Sequence, residues 1–524
     1  MARTTTKGEV IRMTHTILAI DIGTQGTKTA LLDRDMRILA SAFEASRLIQ
    51  PSPGVVWQEA EDIYGACVRT IREVLARPGI IPASVAAVGV DSQMAGIMGV
   101  SNSGGAITYY DSWLDSRCAP YMKRMREKAG RKVTEITGGP VTYTHGPKIL
   151  WWKQEQPEWY AKIDKFVLPH GYVVGRMAGL AGDEIYFDHT CLQYSGFGDN
   201  QRKVWSDELL SLFDVDRKKF PRIVSPFDIV GKTTNVFSGE SGLPSGIPVV
   251  AGGGDTACSI FGSGLFDRNL LFDIAGTASV MCSVVDRFVP DTEYETLTMM
   301  RSPVDGFWFP LAYINGGGLC LKWFRDRIAH TTYEALEAEC PSIPPGSGGI
   351  LFVPHFAGRV LPNNPDIKGS FIGLDWQHTD AHLFRAVMEG VAYEYRFYLS
   401  VLRKLFPENR FDTMYVAGGG AKSTVFNQIK ADVLGVRVTP FLMSEAGLAG
   451  TAVIAGVGAG LFKDFREPIR QIMRGGQPLE PDAARHAAYA PFAAGYAKVI
   501  ETLTPLYREG FSAMKSENAG DSHD

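Results

Sequence analysis

Apolar residues run through Ile17-Leu18-Ala19-Ile20, stop at a turn holding Gly23 and Gly26, and resume at Thr29-Ala30-Leu31-Leu32. That pattern predicts a strand, a tight turn and a second strand over 16–32. Residues 59–77 switch to helical spacing, with acids in the first turn and Arg77 at the end, just before Pro78-Gly79. Val85 to Val90 predicts a short buried strand ending at Asp91-Ser92-Gln93-Met94, and 247–251 a further strand running into Gly252-Gly253-Gly254-Asp255. The second half repeats this grammar. It has a hairpin at 270–286, glycines at 316–318, a helix at 379–406, a strand entering Gly418-Gly419-Gly420, and a glycine- and alanine-rich helix at 445–461. Gly262-Ser263-Gly264 is a candidate hinge between the halves. The stretch 109–205, rich in Trp, Tyr and Gly, predicts an insertion that shapes a pocket rather than a sheet layer.

A chain of 524 residues exceeds one hydrophobic core, so two or more domains are expected. The predicted boundary divides it into 14–262 and 263–505, a duplication of whole lobes with no short tandem repeat. A hydrophobic share of 45% and a charged share of 21% are ordinary for a globular protein. The net charge of −4 supplies no electrostatic reason to expect nucleic acid or an acidic membrane as partner. Arg3, Lys7 and Arg12 precede no apolar stretch long enough for a signal peptide, and no run approaches the roughly 18 apolar residues of a membrane span. Seven scattered cysteines without a C-x-x-C pair read as thiols in a reducing, cytoplasmic setting. Residues 1–13 and the tail after Met514 are expected to fray.

The chemistry concentrates at strand ends. Asp21 opens Asp-Ile-Gly23-Thr24-Gln25-Gly26-Thr27-Lys28, and Asp273 opens Asp-Ile-Ala-Gly276-Thr277-Ala-Ser279. Glycines let main-chain N–H groups close around an anion, and threonine hydroxyls add donors. An acid beside such a loop repels phosphate unless a divalent cation lies between them, so the two turns suggest a nucleotide–metal complex. The plain alternative is a pair of tight hairpins. Neither turn matches the G-x-G-x-x-G or P-loop fingerprint, and Gly231-Lys232-Thr233 has Pro226 where a P-loop needs its first glycine. Asp255, after three glycines, can take a proton from a hydroxyl or cap the helix that follows, or do both. Ala417 to Ser423, followed by Asn427-Gln428, suits an adenine or ribose against open backbone, though a helix cap plus turn has similar composition. Small residues from Ser444 to Ala452 point to close helix packing. His378 and His382 stand four apart, in what reads as a turn and helix cap rather than a zinc site.

Taken together, the order of these motifs resembles the FGGY carbohydrate kinases of the actin-like ATPase superfamily, over about residues 14–505. The most specific piece is Gly369-Ser-Phe371-Ile-Gly373-Leu374, then seven residues, then His382-Leu383-Phe-Arg-Ala386-Val387-Met388-Glu389. Gly146-Pro147-Lys148-Ile149-Leu150-Trp151 is similar to the N-terminal signature, with His145 where Pro, Ser or Thr is usual. The resemblance implies an α/β chain of two actin-like (ribonuclease H-like) lobes, each a mixed sheet flanked by helices, with ATP in the cleft between them. The sugar pocket would lie mainly in the first lobe and the adenosine on the second. It implies Mg²⁺ near Asp21 and a first phosphate loop of Thr24, Gln25 and Lys28. It places a second phosphate loop at Gly276 and Thr277, adenosine at Gly419, Gly420 and Asn427, and the proton acceptor at Asp255. Acceptor-binding residues would be Gln93, Met94, Trp113, Tyr143, Asp255 and Thr256. Xylulokinase-type members are similar through Gln93-Met94, Trp113-x-Asp115-x-Arg117, Leu168-Pro169 and Ala251 to Asp255. Ala95 and Thr256 replace the His and Asn usual there, and removing hydroxyl partners changes which sugars a site accepts. The acceptor stays open among D-xylulose, another ketopentose such as ribulose, and polyols such as erythritol or xylitol. An actin-like ATP-binding protein without sugar chemistry is the reading from another class. The homodimer common in the family is the assembly the resemblance allows.

Overall fold

The computed structural model describes residues 15–264, 268–441, 445–473 and 475–518, with side chains of the last helix described as far as 509. The expected frayed start at 1–13, the 265–267 side of the hinge, and Ser444 lie outside those residues. The tail differs from expectation, because the helix Ala483–Asn518 carries on past Met514.

The chain forms two compact units. One comprises 1–266, 299–307 and 445–473; the other comprises 267–298, 308–444 and 474–524. The main boundary falls between 266 and 267, and 299–307 and 445–473 return to the first unit. The segment 445–473 packs with the first unit because its helix, Ala446–Gly458, covers that unit's sheet.

The first unit holds β1 (Thr16–Ile22), β2 (Gly26–Leu32), β3 (Ile38–Ala45), β4 (Val85–Ser92), β5 (Ile229–Lys232), β6 (Pro248–Val250) and β7 (Gly253–Gly254). The sheet order is β5-β6-β4-β1-β2-β3, with β7 pairing on β4. β1–β2 and β2–β3 are antiparallel, whereas β4 runs parallel to β1 and to β6. Side chains alternate across a strand. Leu18, Ile20 and Ile22 enter one core, with Ile63, Tyr64, Cys67 and Ile71 of the helix Ala60–Leu75. Ile17 and Ala19 enter the other, with Ala452, Val453 and Ala455 of the helix Ala446–Gly458. By the same alternation Asp21, Lys28 and Asp91 fall on the second face. No strand of the 109–205 stretch joins this sheet, and the helices Ala119–Thr137, His145–Glu155 and Pro169–Ala178 dominate it.

The second unit holds β8 (Leu270–Ala275), β9 (Ser279–Ser283), β10 (Trp308–Ile314), β11 (Thr413–Ala417) and β12 (Arg437–Pro440), in the order β10-β9-β8-β11-β12. β8 runs antiparallel to β9 and parallel to β11, repeating the first unit's mixed pattern. Both units thus have the mixed sheet and flanking helices of an actin-like (ribonuclease H-like) lobe. Among the described residues, no helix is long and apolar enough to cross a membrane.

The helix Asp380–Leu405 forms the second unit's spine, and two fully buried acids tie it to the last helix. Glu389 pairs with Arg385 at 2.8 Å and accepts from Tyr489 Oη at 2.9 Å. Glu394 pairs with Arg359 at 2.7 Å and accepts from Tyr496 Oη at 2.8 Å. Burial alone would raise the Glu394 carboxyl, but Arg359, His355 and Tyr496 pull it down to about 2. A depressed acid stabilises the fold above its unfolded value of 4.5, and that contribution is lost as pH falls toward 2. Glu394→Ala strands a buried guanidinium and is expected to cost roughly 3–5 kcal/mol in urea denaturation. A variant as stable as the wild type would contradict this account of the spine.

Candidate functional site

In the first unit, strand ends bring acids together. Asp21 on β1 stands in register with Asp91 on β4, and Gly253-Gly254 continues along β4 to deliver Asp255 at the first turn of the helix Asp255–Gly262. Asp91 is sealed, while Asp21 and Asp255 keep part of their surface open. Thr451 donates its hydroxyl to Asp91 Oδ2, and Asp91 Oδ1 has no partner. Burial raises all three carboxyls, and their mutual repulsion raises Asp91 and Asp255 further. Asp255 reaches about 7, despite the Thr256 N–H that donates to it at 2.6 Å. Lys28 lies nearby, paired with Glu445 at 2.9 Å.

Glycine makes this approach feasible. Gly252 has φ +71°, and a Cβ there would overlap the Val90 carbonyl oxygen. A Cβ on Gly254 would come within 2.5 Å of Met94 Sδ, so Met94 packs directly beside the acid's strand. Gln93 Nε2 donates to Gln58 Oε1 at 2.6 Å. Thr24 donates to Gln93 Oε1 at 3.3 Å and accepts from Trp113 Nε1 at 2.8 Å. Thr24, expected at a phosphate loop, thus directs its hydroxyl to two side chains expected at the acceptor. Arg117 is held by Asp111 and Asp115 at 2.6 and 2.8 Å, and Lys148 donates to the Asp115 carbonyl at 2.7 Å. Tyr110 Oη is buried without a hydrogen-bond partner, and burial followed by the charge of Asp255 raises its hydroxyl well above the ordinary value. Gln25 is exposed, its carbonyl accepting from Ser46 N. Tyr143 is half-buried and makes no hydrogen bond to these side chains.

The second unit's acid behaves differently. Asp273 is fully buried, paired with Lys430 at 2.5 Å and accepting from Tyr395 Oη at 2.6 Å. Its charge is therefore neutralised within the fold. The turn beyond it does gather the expected residues. Gly276 closes the β8–β9 turn through Ala278 O at 3.0 Å. Gly418, with φ +85°, turns the chain beside Ala275, and Gly420 lies so close that a Cβ would sit 2.5 Å from the Ala275 Cβ. Asn427 is buried and braces this turn, donating to the Gly420 and Ala421 carbonyls at 3.2 and 3.1 Å. Thr277 O accepts from Leu319 N at 3.1 Å.

Two family descriptions match: residues 16–262 the N-terminal domain, and 274–459 the C-terminal domain, of the FGGY family of carbohydrate kinases. The chain belongs to that family. It is accordingly a phosphotransferase acting on a sugar or polyol hydroxyl. The xylulose kinase of Bacillus subtilis (strain 168) is 27% identical over 507 residues, 96% of this chain and 98% of that one. The L-xylulose/3-keto-L-gulonate kinase of Escherichia coli (strain K12) is 25% identical, covering 97% of this chain and all of that one. A ligand-bound xylulose kinase structure from Lactobacillus acidophilus overlays with a TM-score of 0.87 at 21% identity, covering 94% of this chain and 99% of that one, a likeness of fold.

In this carbohydrate kinase, the acid cluster has members beyond those to which chemistry was assigned from the sequence. Asp91, Thr451 and Glu445 were not singled out, although Asp91 ends its strand as Asp21 does. His378 accepts from Asp375 N in the turn before the helix and His382 meets Thr379 at the helix start, as the turn-and-cap reading expects. Arg385 and Glu389 of the C-terminal signature serve the spine of the second unit. Among the described residues, no cluster of three or more His, Cys, Asp or Glu forms a ready cage for a metal ion. Mg²⁺ needs no such cage, since it keeps several waters and takes one or two carboxylates plus substrate phosphates, and the partly open Asp21 carboxyl could hold it. A cation there would relieve the repulsion that raises Asp91 and Asp255. Gly252→Ala must place a side chain at positive φ against a carbonyl, and is expected to lower thermal stability by at least about 1–3 kcal/mol and abolish turnover. A soluble variant with wild-type melting and turnover would refute the close packing.

Proposed function

We propose that the protein transfers the γ-phosphoryl group of ATP to a primary hydroxyl of a small uncharged sugar, with D-xylulose as the acceptor. The observation that carries this reading is Asp255: a half-buried carboxyl pushed up to about 7, delivered by a strand on which Met94 packs, its charge felt by the unpaired, buried Tyr110 hydroxyl. A base with that affinity for protons accepts the acceptor's hydroxyl proton near neutral pH while its oxygen attacks phosphorus in line. Positioning and fixed donors supply most of the rate. Gln93, Met94, Trp113, Tyr143 and Thr256 would hold the sugar. Thr24, Gln25, Lys28, Gly276 and Thr277 would face phosphates, and Gly419, Gly420 and Asn427 the adenosine. Asp21 would hold Mg²⁺, which when bound supplies charge neutralisation. The commitment of Arg117 and Lys148 to protein oxygens supports an uncharged acceptor over an acidic sugar. The xylulose kinases among the relatives support D-xylulose, and the Ala95 and Thr256 replacements support ribulose, erythritol or xylitol as the second reading.

ADP release measured across D-xylulose, ribulose, xylitol and erythritol should give the highest kcat/KM with D-xylulose; background rates with every acceptor would refute the kinase reading. Asp255→Asn should cut kcat by about 10²–10⁴-fold with ATP binding retained. Because the carboxyl must ionise to act, kcat/KM should climb with pH on the acid side and level off no later than about 7, earlier once a bound cation relieves the repulsion from Asp21. The sign for stability is opposite. This group favours the fold fully below 3.8, and that contribution is lost as pH rises through about 7. A kcat/KM that falls steadily as pH rises from 5 to 8 would remove Asp255 as the base.

A further inference from the structure

We propose that a buried chain of polar contacts, Ser92–His170–Asp188–Thr190, positions Asp255 by clamping the main chain at Gly254; this rests on the kinase reading above. Ser92 Oγ lies 2.7 Å from His170 Nδ1, and His170 Nε2 lies 3.0 Å from Asp188 Oδ2. Asp188 Oδ1 accepts from Thr190 N at 2.8 Å and from the Thr190 hydroxyl. Thr190 Oγ1 in turn accepts from Gly254 N at 3.0 Å. Ser92 and Gly254 are register partners in the parallel pair of β4 and β7, so the chain closes into a ring.

Every side chain in the ring is at most 1% exposed. Burial alone would raise the Asp188 carboxyl, but His170 and Thr190 hold it below its ordinary value. With the Nε2–H of His170 facing the Asp188 carboxylate, Nδ1 is left to accept from Ser92. The order of residues matches a hydrolytic Ser-His-Asp triad, yet the Ser92 hydroxyl is sealed and can meet no substrate. Its effect is therefore positional. Gly254 is the residue immediately before the helix Asp255–Gly262 and lends it no side-chain cap, so the Thr190 hydroxyl is what holds the N–H next to the acid. A Cβ on Gly253 would come within 3.0 Å of that hydroxyl, so the 188–190 turn lies directly on the strand. Because Ser92 precedes Gln93 and Met94, the ring also sets the distance between that acceptor wall and Asp255.

A misplacement of about 1 Å at a reacting group can cost 10²-fold in rate. Thr190→Val removes the hydroxyl and keeps the shape, and Thr190→Ser keeps the hydroxyl. With the best acceptor, Thr190→Val should lower kcat about 10–100-fold, with KM for ATP and the melting temperature near wild type. Thr190→Ser should stay within about threefold of wild-type kcat. Amide exchange of the peptide covering Gly254 should speed up in Thr190→Val only. Equal kcat for wild type and Thr190→Val overturns the inference, as does equal impairment of both variants. If Thr190→Val does not accumulate folded, Ser92→Ala decides: reduced kcat at unchanged KM for ATP supports the ring, and wild-type kcat overturns it. Wild type that phosphorylates no acceptor removes the kinase reading itself, and the inference with it.

Discussion

Three carboxylates crowded into one desolvated place, Asp21, Asp91 and Asp255, set the terms for the rest of this protein. Several buried acids elsewhere have cations: Asp273 has Lys430, Glu389 has Arg385, Glu394 has Arg359, and Asp111 has Arg117. Here the nearest cation, Lys28, is shared with Glu445. Uncompensated burial of like charges drives protonation rather than pairing, which is why the carboxyls rise. Such an arrangement costs stability and persists where a cation or a proton transfer uses it.

The fold makes the arrangement possible through alternation and small residues. Asp21, Lys28 and Asp91 share the parity of Ile17, Ala19, Ala30 and Ala87, so they face the helix Ala446–Gly458. That helix comes close to β4 at Gly89, where a Cβ would lie 2.9 Å from the Thr451 carbonyl oxygen and from Ala455 Cβ, and close to the helix Asp255–Gly262 at Gly450, which lies against the Cys258 carbonyl. Its Thr451 then reaches Asp91. A bulkier helix would hold the face apart and leave the acids to water, where their pKa values would be ordinary.

The comparison of the two similar turns is instructive. Both have an acid, glycines and threonine at a strand end, yet Lys430 and Tyr395 convert Asp273 into a packing residue. The second turn keeps its backbone geometry, with the Gly418–Gly420 segment lying on Ala275 and braced by Asn427. One duplicated element thus offers charge, and the other offers an open main chain.

Much of the fold was legible in the chain itself. Period-two and helical spacing located the β1–β2 hairpin, the Ala60–Leu75 helix, the strand at 85–92 and the glycine turns, because those signals are local and depend on one face being apolar. The placing of Asp255 was legible too, since glycines before an acid announce a strand end and a helix start, and Asp255 stands in the first turn of the helix that follows. The partners of these residues were not. Lys28 meets Glu445 across 417 positions, Asp91 meets Thr451 across 360, and Thr24 turns to Gln93 and Trp113. The return of 445–473 to the first unit was equally hidden. Residue type and spacing determine which side chains can carry charge and where the backbone can bend. Which charges are then neutralised, and which are left strained, depends on contacts between distant segments, and only the packed structure decides those.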